Sequence, residues 1–134
     1  MITTPLLTES RDFYIRHFGF KVYFEASWYV YLQGEADGES RGAAIAFIHP
    51  DHPSYPPGAE QFDGRGVTLT LEVADASAIH DALVQSGALI AYPLTDEEWG
   101  QRRFMTIDPA GVQIDVVEQT TPRAGYWDQY PPIE

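Results

Sequence analysis

Three side chains with metal-binding chemistry fall close together, at His49, Asp51 and His52. Two imidazoles and a carboxylate are the donors of a two-His-one-carboxylate site, which holds a divalent metal while leaving coordination positions open. Here they alternate with Pro50 and Pro53, which hold the backbone extended, and such a set needs further side chains to orient it. A loop-structuring or strand-ending role is the simpler reading. His17 and His80 lie in two separate helical stretches and read as surface or core-edge residues. The absence of cysteine removes disulfide scaffolds, thiolate metal sites and thiol nucleophiles together. Twenty Asp and Glu against eight Lys and Arg give a net charge of −12, with Lys21 the single lysine. No basic patch exists to neutralise a phosphate backbone, so nucleic acid is excluded as a partner. The same field disfavours anionic membranes and concentrates cationic ligands, within the limits of salt screening. No apolar run approaches the roughly 18 residues of a spanning helix, and Met1 to Pro5 lacks the features of a signal peptide. A cytoplasmic protein with no membrane partner is expected.

The 134 residues, 44% hydrophobic and 13% aromatic, suffice for one compact domain with a real core. Phe13, Tyr14, His17 and Phe18 repeat at helical spacing and predict a helix from Thr8, its capping residue, to Phe18, with Gly19 as its stop. Lys21 to Glu25 and Trp28 to Leu32 are dense in aromatic and β-branched residues and predict strands joined by a turn at Ala26-Ser27. Gly34 to Gly42, with Glu35, Asp37, Glu39 and Arg41, reads as a polar loop before a buried strand over Ala43 to Ile48. Proline and glycine crowd residues 50–65, which neither a helix nor an inner strand tolerates, so this stretch reads as a linker or lid. Val67 to Val73 alternates apolar and polar, and Asp75 then caps a second helix that ends at Ser86-Gly87. A strand near Leu89 to Tyr92, a polar turn at Asp96 to Glu98, a strand over Arg102 to Ile107, a type I turn at Asp108-Pro109-Ala110-Gly111 and a strand over Val112 to Val117 follow. With Ile2-Thr3-Thr4 as a short opening strand, both halves read βαβββ, an α+β pattern of internal duplication.

Several segments stand in an order and spacing that resemble the vicinal oxygen chelate superfamily. They are Ser10 to Tyr14 with Phe18-Gly19-Phe20 behind it, Gly66 to Val73 leading into Asp75, Trp99-Gly100-Gln101-Arg102, and Asp108 to Gly111 followed by Ile114-Asp115. That superfamily includes glyoxalase I, extradiol dioxygenases, fosfomycin-resistance enzymes and bleomycin-resistance proteins. The resemblance spans nearly the whole chain. It implies a single domain over residues 1–134, with βαβββ modules at about 1–49 and 66–118 and an aromatic tail at 119–134. Their mixed sheet would curl into a cup (the glyoxalase/bleomycin-resistance fold), and the chain would pair as a homodimer. Metal ligands would stand as His or Glu on the first, fourth, fifth and eighth strands. The first and fourth offer none, the fifth-strand position is Thr68, and only Asp115 on the eighth keeps a carboxylate. One carboxylate and two threonine hydroxyls cannot hold an ion that asks for three or four protein ligands, so no metal or other cofactor is expected.

Asp115 beside Thr68 and Thr70 is then the polar cluster of the implied cup. Two readings of it stand open: a general base or anchor for a cationic or hydrogen-bonding ligand, or a carboxylate satisfied by the two hydroxyls. Trp28, Tyr29, Tyr31, Phe47, Trp99 and Phe104 fall on or beside cup-forming strands, where flat rings stack on planar ligands and attract cations. Strand alternation sends about half of them into the core instead. Arg102, or alternatively Arg103, could clamp an anionic group. The rings of Tyr126, Trp127 and Tyr130 gain free energy only when packed, so the tail is expected to lie across its own subunit or a partner. The functional expectation is a metal-independent small-molecule-binding protein that sequesters an aromatic or cationic compound. Its ligand residues are Trp28, Tyr29, Tyr31, Thr68, Thr70, Trp99, Arg102, Phe104 and Asp115, with Asp115 the one candidate catalytic group. The alternatives are a metal-dependent lyase or dioxygenase, and a structural module whose cup is filled by its own side chains.

Overall fold

The computed structural model describes residues 1–35 and 42–133, so Asp37, Glu39 and Arg41 of the expected polar loop lie outside the described residues. The elements are β1 (Ile2–Thr3), α1 (Leu7–Phe18), β2 (Lys21–Ala26), β3 (Tyr29–Gln33), β4 (Ala44–Ile48), β5 (Thr68–Glu72), α2 (Ala76–Gln85), β6 (Ile90–Glu97), β7 (Gln101–Ile107) and β8 (Gln113–Gln119). A short 3-10 turn, Trp127–Gln129, follows in the tail. Two four-stranded mixed sheets result, ordered β1-β4-β3-β2 and β5-β8-β7-β6. In each, the first strand runs parallel to the last and the other neighbours are antiparallel. This is the repeated βαβββ pattern that the sequence predicts. No described helix is long and apolar enough to cross a membrane.

The chain forms two compact units, Met1–Val67 with Asp108–Val112, and Thr68–Ile107 with the chain from Gln113 onward. In the first, α1 covers one face of its sheet, where Val30, Leu32 and Phe47 are fully buried. The helix begins one residue earlier than predicted and has no side-chain cap, so Thr8 lies within its first turn. Thr4 takes up the slack: its Oγ1 accepts from the Leu6 N–H at 3.1 Å and orders the approach to the helix. Gly19 ends the helix at φ 68°, a left-handed conformation that glycine adopts without a Cβ penalty. Tyr14 is wholly buried, its ring against Phe20 and Phe47 at 5.6 and 5.5 Å. Its hydroxyl donates to Asp108 Oδ2 at 2.8 Å, and Asp108 Oδ1 accepts from the Val112 N–H at 2.8 Å. The Asp108 to Gly111 turn thus carries a buried carboxylate whose oxygens both have donors. Burial pushes the Asp108 pKa up, against the hydrogen bond from Tyr14 and those from the backbone of Val112, Ala110 and Gly111. Burial also pushes the Tyr14 phenol up, with the Asp108 charge and hydrogen bond adding to it.

In the second unit Asp75 caps α2 as predicted, its Oδ1 accepting from the Ala78 N–H at 2.9 Å. Leu83, Phe104, Ile114 and Val116 are fully buried in its core. β6 runs on to Glu97, five residues past the predicted strand end, and the turn falls at Glu98 to Gly100 instead of Asp96 to Glu98. The cause is cross-strand pairing: Asp96 stands opposite Arg102 and Glu97 opposite Gln101. The Ala26-Ser27 turn likewise moves on to Ser27-Trp28, because Ala26 still pairs with Tyr29.

Asp108 titrates at a higher pH in the folded protein than in the unfolded chain. Its contribution to stability is therefore fully present below the ordinary carboxylate pKa and declines as pH rises through the raised folded value. Tyr14→Phe removes a bond that holds this value down, so it should cost about 1.5–3 kcal/mol at neutral pH and less in acid. Urea unfolding at pH 7 and pH 4 measures both. A second expectation concerns Ser10, whose buried Oγ finds no hydrogen-bond partner among the described residues. Ser10→Ala removes that unsatisfied group and should stabilise by about 1 kcal/mol in the same assay.

Candidate functional site

In the second unit, the sheet face turned away from α2 carries Thr68, Thr70, Asp115, Arg103 and Gln101, as the strand registers require. Arg103 is its centre. Its Nε donates to Glu97 Oε1 at 2.9 Å, and its Nη1 lies 3.4 Å from Asp115 Oδ1. The guanidinium carbon sits 5.1 Å from the ring of Tyr92 and 5.1 Å from that of Trp99. Burial opposes the Arg103 charge, but the Glu97 hydrogen bond and the fields of Asp115 and Glu97 outweigh it, and the pKa rises. Tyr92 Oη donates to Glu97 Oε1 at 2.8 Å, and Trp99 Nε1 donates to Gln101 Oε1 at 2.9 Å. The cluster is closed by mutual contacts, and Asp115 finds its partner in Arg103 instead of the threonine hydroxyls. Thr68 turns its hydroxyl toward Gln113 at 3.5 Å.

Arg102 and Phe104 take other places. Phe104 is 0% exposed on the α2 side, with His80 against its ring at 5.2 Å. Arg102, two residues away on the same side, pairs with Asp96 at 2.6 Å near the surface. The tail packs on the β6–β7 turn of this unit. The Thr120 N–H donates to Gly100 O at 2.8 Å, Arg123 N–H to Glu98 O at 2.8 Å, and Trp127 Nε1 to Trp99 O at 3.3 Å. Gly100 is required there: at φ 102° a Cβ would stand 2.7 Å from Pro122.

In the first unit the sheet face turned away from α1 is aromatic. Trp28 at the turn contacts Tyr29 at 5.8 Å, Phe24 meets Tyr29 at 6.2 Å, and Tyr23 meets Tyr31 edge-on at 5.4 Å. Regular alternation would put Tyr23 and Phe24 on opposite faces. A register shift between Val22 and Phe24 gives β2 one extra residue against β3 and delivers both rings to the same side. Across β3, Tyr29, Tyr31 and Gln33 stand opposite Ile48, Ala46 and Ala44, so the row beside the rings is small at two positions and carries the buried Ile48 at the third. Phe47, fully buried, belongs to the α1 side. Tyr23 and Phe24, like Tyr92 and Glu97 in the second unit, escape a reading that relies on strict alternation.

The His49 loop is occupied with its own backbone. His49 Nδ1 accepts from the Asp51 N–H and His52 Nδ1 from the Ser54 N–H, both at 3.1 Å. In the neutral ring that arrangement leaves Nε2 protonated, so neither imidazole presents a lone pair to a metal. β1 and β4 carry no His or carboxylate, Asp115 is engaged by Arg103, and Glu72 Oε2 accepts from Gln119 Nε2 at 3.0 Å. Among the described residues no three His, Asp or Glu side chains gather to hold a metal ion. This donor set does not fit the metal centre that the sequence resemblance implies.

A model of the Glyoxalase/Bleomycin resistance protein/Dioxygenase superfamily matches residues 1–116. No curated protein matches the chain. Similar solved structures include a glyoxalase/bleomycin resistance protein/dioxygenase from Nocardioides, 19% identical with a TM-score of 0.67 over 89% of this chain and 80% of that one. A virulence protein from Salmonella typhimurium is 15% identical with a TM-score of 0.69, over 89% and 92% of the two chains. TioX from Micromonospora sp. ML1 is 18% identical with a TM-score of 0.65, over 88% and 94%. At these identities the likeness establishes the fold.

Arg103→Met should destabilise the protein by about 1.5–3 kcal/mol, because two charge-assisted contacts disappear and both carboxylates remain. Arg103→Lys should recover less than half of that loss, since a point ammonium cannot lie flat between two rings while reaching two carboxylates. Denaturant unfolding of the two variants beside the parent is the measurement.

Proposed function

Since the chain belongs to the Glyoxalase/Bleomycin resistance protein/Dioxygenase superfamily, we propose that it is a metal-independent member that binds and sequesters a small aromatic compound without turning it over. The observation that carries this reading is the aromatic face of the first unit, where Trp28, Tyr29 and Tyr31 are joined by Tyr23 and Phe24. Flat rings held on a rigid sheet bind planar molecules at little cost in side-chain order. Two further observations support binding over catalysis. The donors at the family's metal positions are absent or engaged, and Asp115, the candidate base, is the counter-ion of Arg103. A pair of such chains, acting as a cytoplasmic homodimer, is the proposed setting.

Titration of the purified protein with a panel of planar aromatic compounds should give saturable quenching of tryptophan emission, with each compound recovered unchanged. Trp28→Phe should remove a large part of the quenching signal, and His49→Ala should bind as the parent does. One metal ion per chain retained through gel filtration, with conversion of any panel compound that depends on it, would overturn the proposal.

A further inference from the structure

The aromatic face of the first unit carries more ring surface than its core requires. Tyr23 and Phe24 are 69% and 54% exposed, although the residues that hold α1 to the sheet are all on the opposite side. They reach this face only through the bulge in β2, a local irregularity of the kind that re-aims side chains. The rings of β3 make one row and those of β2 a second, about 5 Å away at the spacing of neighbouring strands. Lys21 stands on the same face through its pairing with Gln33. The chain's one lysine therefore flanks the rings.

We propose that this face is a binding site for planar, fused-ring aromatic acids. The ring system stacks across Tyr29 and Tyr31 and reaches Tyr23 and Phe24, while the acid group meets the Lys21 ammonium. Tyr23 and Phe24 set how many rings are accepted: a single ring covers one row, and two or three fused rings span both. Charge complementarity selects the acid. The net charge of −12 favours cations at long range, but beyond about 8–10 Å such fields are screened. A bound ligand answers to the ammonium beside it. The inference rests on the small-molecule reading above and adds to it the ligand class, the part that Tyr23 and Phe24 play in ring count, and Lys21.

The test titrates isotope-labelled full-length protein with benzoate, naphthoate, anthroate and the cation aminomethylanthracene, following amide shifts and calorimetric affinity. Anthroate should bind at least about tenfold more tightly than benzoate, as expected for the added ring area, and more tightly than the cation, with shifts centred on residues 21–31. In the double variant Tyr23→Ser, Phe24→Ser, the preference for anthroate over benzoate should fall to within about threefold. Both residues are exposed, and an otherwise retained amide spectrum checks the fold. Lys21→Gln should erase the preference for acid over cation and keep the preference for more rings. Affinity independent of ring number, an unaltered double variant, or a cation bound as tightly as the acid overturns the inference. Shifts confined to residues 68–130 overturn it and leave the small-molecule reading standing. Binding of none of the four probes counts against both. Self-association of the free protein that the double variant abolishes would assign the face to a second copy and likewise overturn it.

Discussion

A helix packed on one side of a sheet takes only every second residue of each strand, and the candidate sites in both units are what that period leaves over. In β7, Phe104 and Thr106 are fully buried, so Gln101, Arg103 and Met105 face the other way. In β3, Val30 and Leu32 go to the α1 side and leave Tyr29 and Tyr31 opposite. Adjacent arginines thereby acquire different roles. Arg102 follows Phe104 and bridges to Asp96 near solvent, while Arg103 is enclosed by two rings and two carboxylates. The one place where the period fails in the first sheet, the bulge at Tyr23, is also where its exposed aromatic surface is widest.

Enclosing Arg103 is tolerable because a guanidinium has flat faces for aromatic rings and edge donors for carboxylates. Neither a lysine nor a metal ion would use this geometry in the same way. The ion pair gives Asp115 a task that does not depend on chemistry. A carboxylate that falls where the family resemblance expects a metal donor is here one of two counter-ions to a fixed cation, and its neighbours Thr68 and Thr70 are turned toward solvent or Gln113. Removing the charge would leave two carboxylates half-buried together, so the cluster holds itself in place.

Much of the architecture is legible in the residue pattern, because the signals that terminate helices and turn strands are local. Gly19 and Gly87 stop the helices, Asp75 caps the second, and Asp108 to Gly111 turns where its composition says. What escapes is decided by contacts across strands. β6 extends to Glu97 because Arg102 and Gln101 stand opposite its acidic residues, and those partners are not adjacent in sequence. The phase of β7 is ambiguous for a similar reason: Phe104 and Met105 are both apolar, and only the position of α2 decides which is buried. Read from the sequence alone, that ambiguity puts Phe104 and Arg102 on the ligand side. Trp28, Tyr29 and Tyr31 do share one face, yet their neighbours Tyr23 and Phe24 depend on a bulge that no residue type announces. The Thr8 cap fails on a competing local bond, since Thr4 already orders the approach to α1.

Composition and structure point to different ligands, and distance decides between them. A net charge of −12 sets the potential felt by a molecule still outside the site, within about a Debye length of the surface, and it governs encounter. Contact is governed by the groups within a few ångströms, and among the described residues of β2 and β3 this face offers neutral rings, the Gln33 amide and Lys21. Glu25, within the same strand as Lys21, stands opposite Val30 on the α1 side, where it pairs with Arg11. A ligand with an acid group would approach against a weak, screened repulsion and settle against a local attraction. Added salt would speed association at such a site, the reverse of what the overall charge gives for an electrostatically steered cation.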